Sequence, residues 1–298
     1  MIASLQCCLL ILPIEQQSLI VPRISKPMEW FTEEQEHFAL KIRVAKKLYE
    51  VSSLQHIQVY ETTWFGKMLV LDGAIQLTEK DEAFYHEMLA HVPMLNHKNP
   101  KKVLIIGGGD GGCVREVLKH DPDEVLVVEI DNVVIDTCKK FIKIDEGALD
   151  DPRITIINED GIKFVKDCNE KFDVLIVDGT DPNPVSKSLV ERSFYEYCSK
   201  ITEVFNTQSQ SPFAQEGFFK EIYCNITNFK KKRVYLTYVP TYPLGLWSFT
   251  IATNGEIIMD LTTIESRFNE REIKTRHYTP ELHLASFVLP KWIEEMLK

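Results

Sequence analysis

The chain has no apolar run long enough to span a bilayer, no Cys-x-x-Cys pair, no internal repeat and no low-complexity tract. Its most apolar opening stretch, residues 9–12, is short and closed by Pro13, and no basic residue precedes Arg23. A membrane span needs about 20 apolar residues and a secretory signal needs basic residues ahead of its apolar core, so neither is expected here. Positive charge is also scarce. Lys and Arg number 34 against 44 Asp and Glu, for a formal net charge of −10. That balance argues against a nucleic-acid partner, because phosphate contacts require clustered cations. The seven cysteines show no ligand-like spacing with histidine. Neither a zinc site nor a disulfide framework is therefore indicated, and reduced thiols in a cytoplasm are the expectation.

What is present is a globular composition, 44% apolar and 26% charged over 298 residues, enough for a substantial core. Residues 1–27 differ from the rest and are read as an extension of doubtful function, with Met28 as an alternative start. Residues 28–79 alternate like antiparallel strands over 39–44, 57–62 and 67–71, with Gly66 and Asp72-Gly73 as turn signals. This is a small β module. Residues 81–97 carry Phe84, Met88, Leu89 and Val92 at helical spacing, with Asp81 and Glu82 as ordinary helix-start acids. From residue 80 to 298 apolar strands alternate with helical stretches, the strands falling at 103–106, 125–130, 154–157, 174–178, 204–208, 234–239 and 248–253. The basic run 230–233 reads as a solvated loop before a strand. Apolar strands separated by helices specify an α/β fold with a doubly wound, mainly parallel sheet, which binds ligands at the carboxyl ends of its strands.

The informative residues sit at those ends. Only 13 glycines occur in the chain, and five of them fall in the run GGGDGG at 107–112, between an apolar strand and a helix start. Such a turn offers free backbone N–H groups to a ligand. Gly107, Gly109 and Gly112 satisfy G-x-G-x-x-G, which alone suits a dinucleotide domain as well as any other nucleoside fold. Asp110 inside the turn changes the odds, since its carboxylate would repel a pyrophosphate and attract a cation. The next strand ends at Glu129, about twenty residues on, placed to accept hydrogen bonds from ribose hydroxyls. The third ends near Asp160-Gly161, where Asp160 suits an adenine amino group, and the fourth at Asp178 and Asp181. Burying several like charges together is unfavourable unless a bound cation offsets them, so this set reads as a site for a positively charged, nucleoside-bearing ligand.

These residues, together with Gln55 to Leu118 (including LDGAIQLTEKDE and Tyr85-His86-Glu87-Met88), DGTDP at 178–182 and PTYPLGLW at 240–247, resemble the polyamine aminopropyltransferases, the spermidine synthase family. The resemblance runs from about Trp30 to the C-terminus. It implies an N-terminal β domain on a Rossmann-like, methyltransferase-type core, and transfer of an aminopropyl group from decarboxylated S-adenosylmethionine to putrescine, with no cofactor and no metal; cadaverine, spermidine and agmatine stay open as alternative acceptors. It further implies that Asp178 is the catalytic base, that His86, Asp110, Asp181, Tyr85 and Tyr242 bind the amine and aminopropyl groups, and that Gln55, Glu129, Asp160, Gly161, Gly107 and Gly109 hold the nucleoside. Trp30 and Gln76 are weaker candidates for the same cavity, and Trp247 is expected to be structural. Family members are commonly dimers or tetramers assembled through the β module.

The donor lacks the carboxylate of its parent compound, so Asp110 would pair with its free ammonium and repel the parent. Three rival readings are a methyltransferase acting on putrescine, a dinucleotide oxidoreductase and a non-catalytic relative. Asp110 and the pair Asp178/Asp181 favour aminopropyl transfer over all three. The HEMLAH stretch spaces His86 and His91 at i and i+5, against the i and i+4 of a zinc helix. The chain also departs from the family's pattern in two places. Val185 stands where relatives carry a proline that contacts the nucleoside, and the turn between the helix ending near Ile201 and the strand at 204 is reduced to Thr202-Glu203. That shortening is expected to tighten or fray the helix end.

Overall fold

A computed structural model describes residues 29–180 and 187–298. The expectations for residues 1–27, Met28, Asp181 and Val185 lie outside the described residues.

The first sheet is an antiparallel meander of five strands in chain order: β1 (Glu29–Glu34), β2 (Ala39–Ser52), β3 (His56–Thr62), β4 (Lys67–Leu71) and β5 (Ala74–Thr78). Three of these were read from alternation, whereas β1 and β5 were not. The short β1 alternates only weakly, and β5 follows the Asp72-Gly73 turn so closely that its five residues look like the turn's continuation. One face of the sheet packs Ile57, Val59, Leu69, Leu71 and Leu77 against Val134, Cys138, Ile142 and Ile144, which belong to the second unit. Apolar burial thus docks the meander onto the core and brings Glu33, Gln55 and Gln76 to the cleft described below.

Helix α1 (Glu82–Asn96) leads into the second sheet, whose order is β11-β12-β10-β9-β6-β7-β8. Its strands are β6 (Lys102–Gly107), β7 (Glu124–Glu129), β8 (Ile154–Asn158), β9 (Phe172–Asp178), β10 (Thr202–Gln208), β11 (Lys231–Tyr238) and β12 (Leu246–Thr253). All seven were expected, with ends within three residues of those observed. β8, β7, β6, β9 and β10 run parallel, while β12 pairs antiparallel with both β10 and β11. The basic run is not a loop as expected: Lys231, Lys232 and Arg233 open edge strand β11.

Near-continuous apolar runs give strands buried on both faces, because alternate residues point to opposite sides. Val103, Ile105, Val125, Val127, Val174 and Ile176 pack on one face under α1 and α2 (Gly112–Leu118). Leu104, Ile106, Leu126, Val128, Leu175 and Val177 pack on the other, under α4 (Gly161–Asp167) and α5 (Arg192–Ile201). Helix α3 (Asn132–Thr137) follows β7 and carries Val134 to the first sheet. Each fully buried aliphatic side chain of this kind contributes roughly 1.5–3 kcal/mol.

The shortened connection proves tight. α5 ends at Ile201 and β10 starts at Thr202, so no connecting residue remains. Extended backbone at Thr202 stops the helix, and its N–H still bonds to the Cys198 carbonyl. Lys171 Nζ caps the Lys200 carbonyl, which would otherwise be unpaired. Helices α6 (Glu216–Asn225), α7 (Leu261–Glu270), α8 (Pro280–Ser286) and α9 (Lys291–Met296) complete the chain. Among the described residues no helix is long and apolar enough to cross a membrane.

Candidate active site

The chain order of the parallel strands reverses between β6 and β9. From β6 the sheet grows outward through β7 to β8, and then β9 returns to the opposite side of β6. Connections leave the two strands in opposite directions and open a crevice at their carboxyl ends. The glycine turn follows β6 there, and Gly107 lies directly across from Asp178, the last residue of β9. Gly107 has φ +82°, and a Cβ on it would come within 2.2 Å of the Asp178 carbonyl, so both conformation and space demand glycine. The Gly108 N–H donates to that same carbonyl at 3.0 Å.

Above the turn lies a cleft of about 1100 Å³, counting the space at its mouth. Gln55, Tyr85, His86, Gly107, Gly109, Asp110, Glu129, Asp160, Gly161, Asp178 and Tyr242 all line it, as does the weaker candidate Gln76. Eleven expected positions scattered over 188 residues of sequence therefore meet in one cavity. Trp30 does not join them: it sits half exposed on strand β1 with the Arg43 guanidinium 4.7 Å above its ring. Strand alternation turns it to the solvent face, which corrects that expectation. Glu33 and Trp247 were missed as cavity residues. Trp247 is buried, packs on Tyr242 with ring centres 4.7 Å apart, and has an indole N–H with no partner among the described residues. Both its buried packing and its place in the wall follow from β12.

At the end of the cleft expected to take the nucleoside, Glu129 accepts from the N–H groups of Gly109 (3.2 Å) and Asp131 (3.0 Å). Burial nevertheless lifts its carboxyl to about 7, against the pull of those two N–H groups. Asp160 is the N-cap of α4, accepting from Ile162 N–H at 3.0 Å, and Gly161 follows it against Ile106, where a Cβ would come within 2.4 Å of that side chain. One carboxylate thus does local structural work while still facing the cleft.

At the other end the acids cluster. Asp110, His86 and Asp178 place one polar atom each within 4.8 Å of the others, a spacing that accommodates a cationic group. Asp110 accepts from Gly112 N–H at 2.7 Å and lies 3.4 Å from His86 Nε2. Burial would raise its carboxyl, but the imidazole of His86, the Gly112 N–H and Arg115 outweigh burial and hold it below the usual aspartate range. Burial would likewise neutralise His86, yet Asp110 on one nitrogen and Glu82 on the other push its ring well above the ordinary value. Asp178 goes the opposite way. Burial first, then the negative charge of Asp110, lift its carboxyl to about 7, against His86 and the Tyr85 hydroxyl that donates to it at 2.9 Å. Its second oxygen, Oδ2, is buried and has no hydrogen-bond partner among the described residues. An orphaned carboxylate oxygen in a cleft, near neutrality in its titration, has the properties of a proton acceptor.

The aromatic residues are held in place by their own hydroxyls. Tyr85 OH donates to Asp178 and Tyr242 OH donates to the Gln76 carbonyl at 2.7 Å, so both rings are fixed in the wall of the cleft. Two acids taken for ordinary helix-start residues turn out otherwise. Asp81 is buried and accepts from Thr78 Oγ1 and from the N–H and hydroxyl of Thr241 at 2.9 and 2.8 Å. Glu82 is buried and bound to His86, Arg115 and Arg276. The signal available in the sequence was the i, i+4 pair Glu82/His86 on a helix whose apolar residues are spread around its whole circumference. His91 turns away from His86, its Nδ1 bonding to His120 at 2.9 Å and its Nε2 lying 2.9 Å from Glu116.

The fold and the cleft define a Rossmann-like protein with a glycine turn and a cluster of acids at the carboxyl ends of its parallel strands. Comparison with known proteins makes this specific. Residues 82–261 match the spermine/spermidine synthase domain, and residues 29–79 match the spermidine synthase tetramerisation domain. A curated polyamine aminopropyltransferase from Archaeoglobus fulgidus is 51% identical over 268 residues, covering 90% of this chain and 98% of that one. Its counterpart from Caldicellulosiruptor saccharolyticus is 42% identical at the same coverage. A crystal structure of spermidine synthase in complex with the transition-state analogue AdoDATO superposes with TM-score 0.87 at 38% identity, covering 91% of this chain and 96% of that one. The spermidine synthase of Thermotoga maritima superposes with TM-score 0.86 at the same identity. The chain belongs to the spermine/spermidine synthase family and is an aminopropyltransferase of polyamine biosynthesis.

Proposed function

We propose that this aminopropyltransferase is a spermidine synthase, moving the aminopropyl group of decarboxylated S-adenosylmethionine to putrescine and releasing spermidine and methylthioadenosine. The observation that carries the reading is the pair Asp110 and Asp178, two carboxylates held in different protonation regimes at the ends of adjacent strands. Asp110, kept anionic, receives the donor's terminal ammonium and disfavours a donor that retains its carboxylate. Glu129 takes the ribose hydroxyls, Asp160 and Gly161 the adenine edge, and Gln55, Gly107 and Gly109 the nucleoside's flank.

The acceptor's amines are protonated at neutral pH, with pKa near 10.4 for a comparable lysine amine, and a protonated amine has no lone pair. Asp178 Oδ2 accepts that proton. The freed nitrogen then attacks the carbon beside the sulfonium in line. A C–N bond forms as the C–S bond breaks, and the sulfur leaves as the neutral thioether methylthioadenosine. Holding both partners in one cleft supplies most of the advantage, since orientation removes the entropic cost of a two-body encounter. Tyr85 and Tyr242 border the diamine, where a cation is attracted by π density, and His86 adds a polar contact to the donor's aminopropyl group. Asp181, outside the described residues, is assigned to the far amine on the family's pattern. No step calls on a metal or a redox cofactor.

The match of residues 29–79 to a tetramerisation domain supports a homo-oligomer, dimer or tetramer, assembled through the five-stranded sheet. The solved spermidine synthase in complex with the transition-state analogue AdoDATO supports substrate binding by this fold. The test is release of methylthioadenosine from decarboxylated donor with putrescine, cadaverine, spermidine and agmatine in turn. Putrescine should give the largest kcat/KM, and a larger value for another amine would reassign the acceptor. Turnover with intact S-adenosylmethionine and putrescine would instead make the protein a methyltransferase.

A further inference from the structure

Glu82 does not line the cleft, yet it is among the most heavily bonded acids in the molecule. Its side chain is 2% exposed and lies one helical turn before His86 on α1. His86 Nδ1 is 2.8 Å from one of its oxygens, Arg115 Nη2 reaches that same oxygen at 2.9 Å, and Arg276 Nη2 bonds to the other. A lone carboxylate buried this deeply would be costly; the His86 imidazole and the Arg115 guanidinium outweigh burial and keep it charged, and Arg276 takes its other oxygen. Its pull on the imidazole has a geometric consequence. With an anion at Nδ1, that nitrogen carries a proton, and the ring plane is fixed so that Nε2 faces Asp110 at 3.4 Å.

The second guanidinium comes from far away in sequence. Arg276 belongs to the segment between α7 and α8, and the backbone N–H groups of residues 276, 277 and 278 donate to Glu87 at 2.7–2.8 Å. Glu87 is itself buried on α1, so this strap is pinned to the same helix that carries Glu82 and His86. The Arg276 side chain is 58% exposed. A continuous line of polar contacts therefore runs from solvent to the cleft, through Arg276, Glu82, His86 and Asp110.

We propose that Glu82, clamped by Arg115 and by Arg276 of the C-terminal strap, is a positioning residue that sets His86 and thereby presents Asp110 to the donor's terminal ammonium. This deepens the function proposed above and rests on it. Neither Glu82 nor Arg276 touches the substrate in this account; each acts through the imidazole. The effect is specific to the donor, because His86 and Asp110 stand at the aminopropyl end of the cleft.

Isothermal titration with decarboxylated donor alone, and steady-state kinetics with that donor and putrescine, test the assignment on Glu82→Gln, Arg276→Ala and Arg276→Lys. Glu82→Gln should weaken donor Kd and KM about tenfold or more, the loss of one charge-assisted hydrogen bond to a buried group, with putrescine KM changed far less. Arg276→Ala should weaken donor binding by roughly three- to fivefold at unchanged melting temperature, as suits a half-exposed ion pair, and Arg276→Lys should restore most of it. Should Glu82→Gln fail to fold, the two Arg276 variants carry the test. Donor affinity unchanged in both Glu82→Gln and Arg276→Ala, or equal losses for donor and putrescine, would overturn the positioning role. The proposed function fails separately, if the wild-type enzyme releases no methylthioadenosine from the decarboxylated donor with putrescine.

Discussion

Replacing Asp178 by asparagine should abolish turnover and, in the empty enzyme at alkaline pH, stabilise the fold. Its carboxyl titrates near 7, raised by burial and by Asp110, whereas an aspartate in an unfolded chain titrates near 3.9. The difference is about three units at roughly 1.4 kcal/mol each, so the ionised form costs the folded state up to about 4 kcal/mol at pH 8. The sign follows from proton counts. Below about pH 4 both states carry the proton and there is no cost. Between roughly pH 4 and 7 the unfolded state has lost it while the folded state keeps it, so stability falls as pH rises, and above 7 the cost is complete. Asparagine accepts from Tyr85 OH as Asp178 Oδ1 does, and places an amide instead of the orphaned oxygen beside Asp110. Thermal unfolding of the empty variant should therefore exceed wild type by on the order of 5 °C at pH 8, with the gain vanishing near pH 4. In the same variant kcat should drop by about 10²–10⁴, the usual contribution of a general base, with donor Kd changed only a few-fold. A gain independent of pH, no gain at pH 8, or a variant that keeps most of its rate would refute the reasoning.

Asp110→Asn should weaken decarboxylated donor by roughly 10- to 100-fold, the worth of a charged hydrogen bond of about 1.5–3 kcal/mol, and narrow the preference over intact S-adenosylmethionine; titration calorimetry with both ligands reads this. Wild-type kcat/KM should rise with pH through about 7 as Asp178 loses its proton, and the corresponding limb in kcat should move lower, since a bound dication favours the ionised carboxylate. Gly112→Ala places a Cβ within 2.4 Å of the His86 ring, which Glu82 and Asp110 hold on both sides, so it should lower stability by about 1–3 kcal/mol and raise donor KM. A melting curve and one kinetic series check both effects.

The core sheet was legible because a strand buried on both faces writes itself as an uninterrupted apolar run, and the acids at its ends stand out against that background. Asp110, Glu129, Asp160 and Asp178 were found this way, and all four reach the cleft. Short elements were not legible: β5 is five residues beside a turn, and β1 buries only Glu33 fully. Trp30 was misplaced because the family's pattern marks a position and not the face of an edge strand. Glu82 was missed for a different reason. Apart from the i, i+4 step to His86, its partners lie 33 and 194 residues away, and local sequence reads such an acid as a helix start. Side chains placed by apolar periodicity announce themselves, whereas those held by a buried ion network depend on chain segments that only the tertiary fold brings together.

The account turns on a cleft whose carboxylates receive a positively charged aminopropyl nucleoside. A crystal structure of the enzyme with decarboxylated S-adenosylmethionine tests it most directly. The donor's ammonium should lie within hydrogen-bond distance of Asp110, with the ribose hydroxyls on Glu129 and Asp178 Oδ2 facing the carbon beside sulfur across a space for an amine. A donor bound with its ammonium turned away from Asp110, or seated outside the crevice between β6 and β9, would contradict the account.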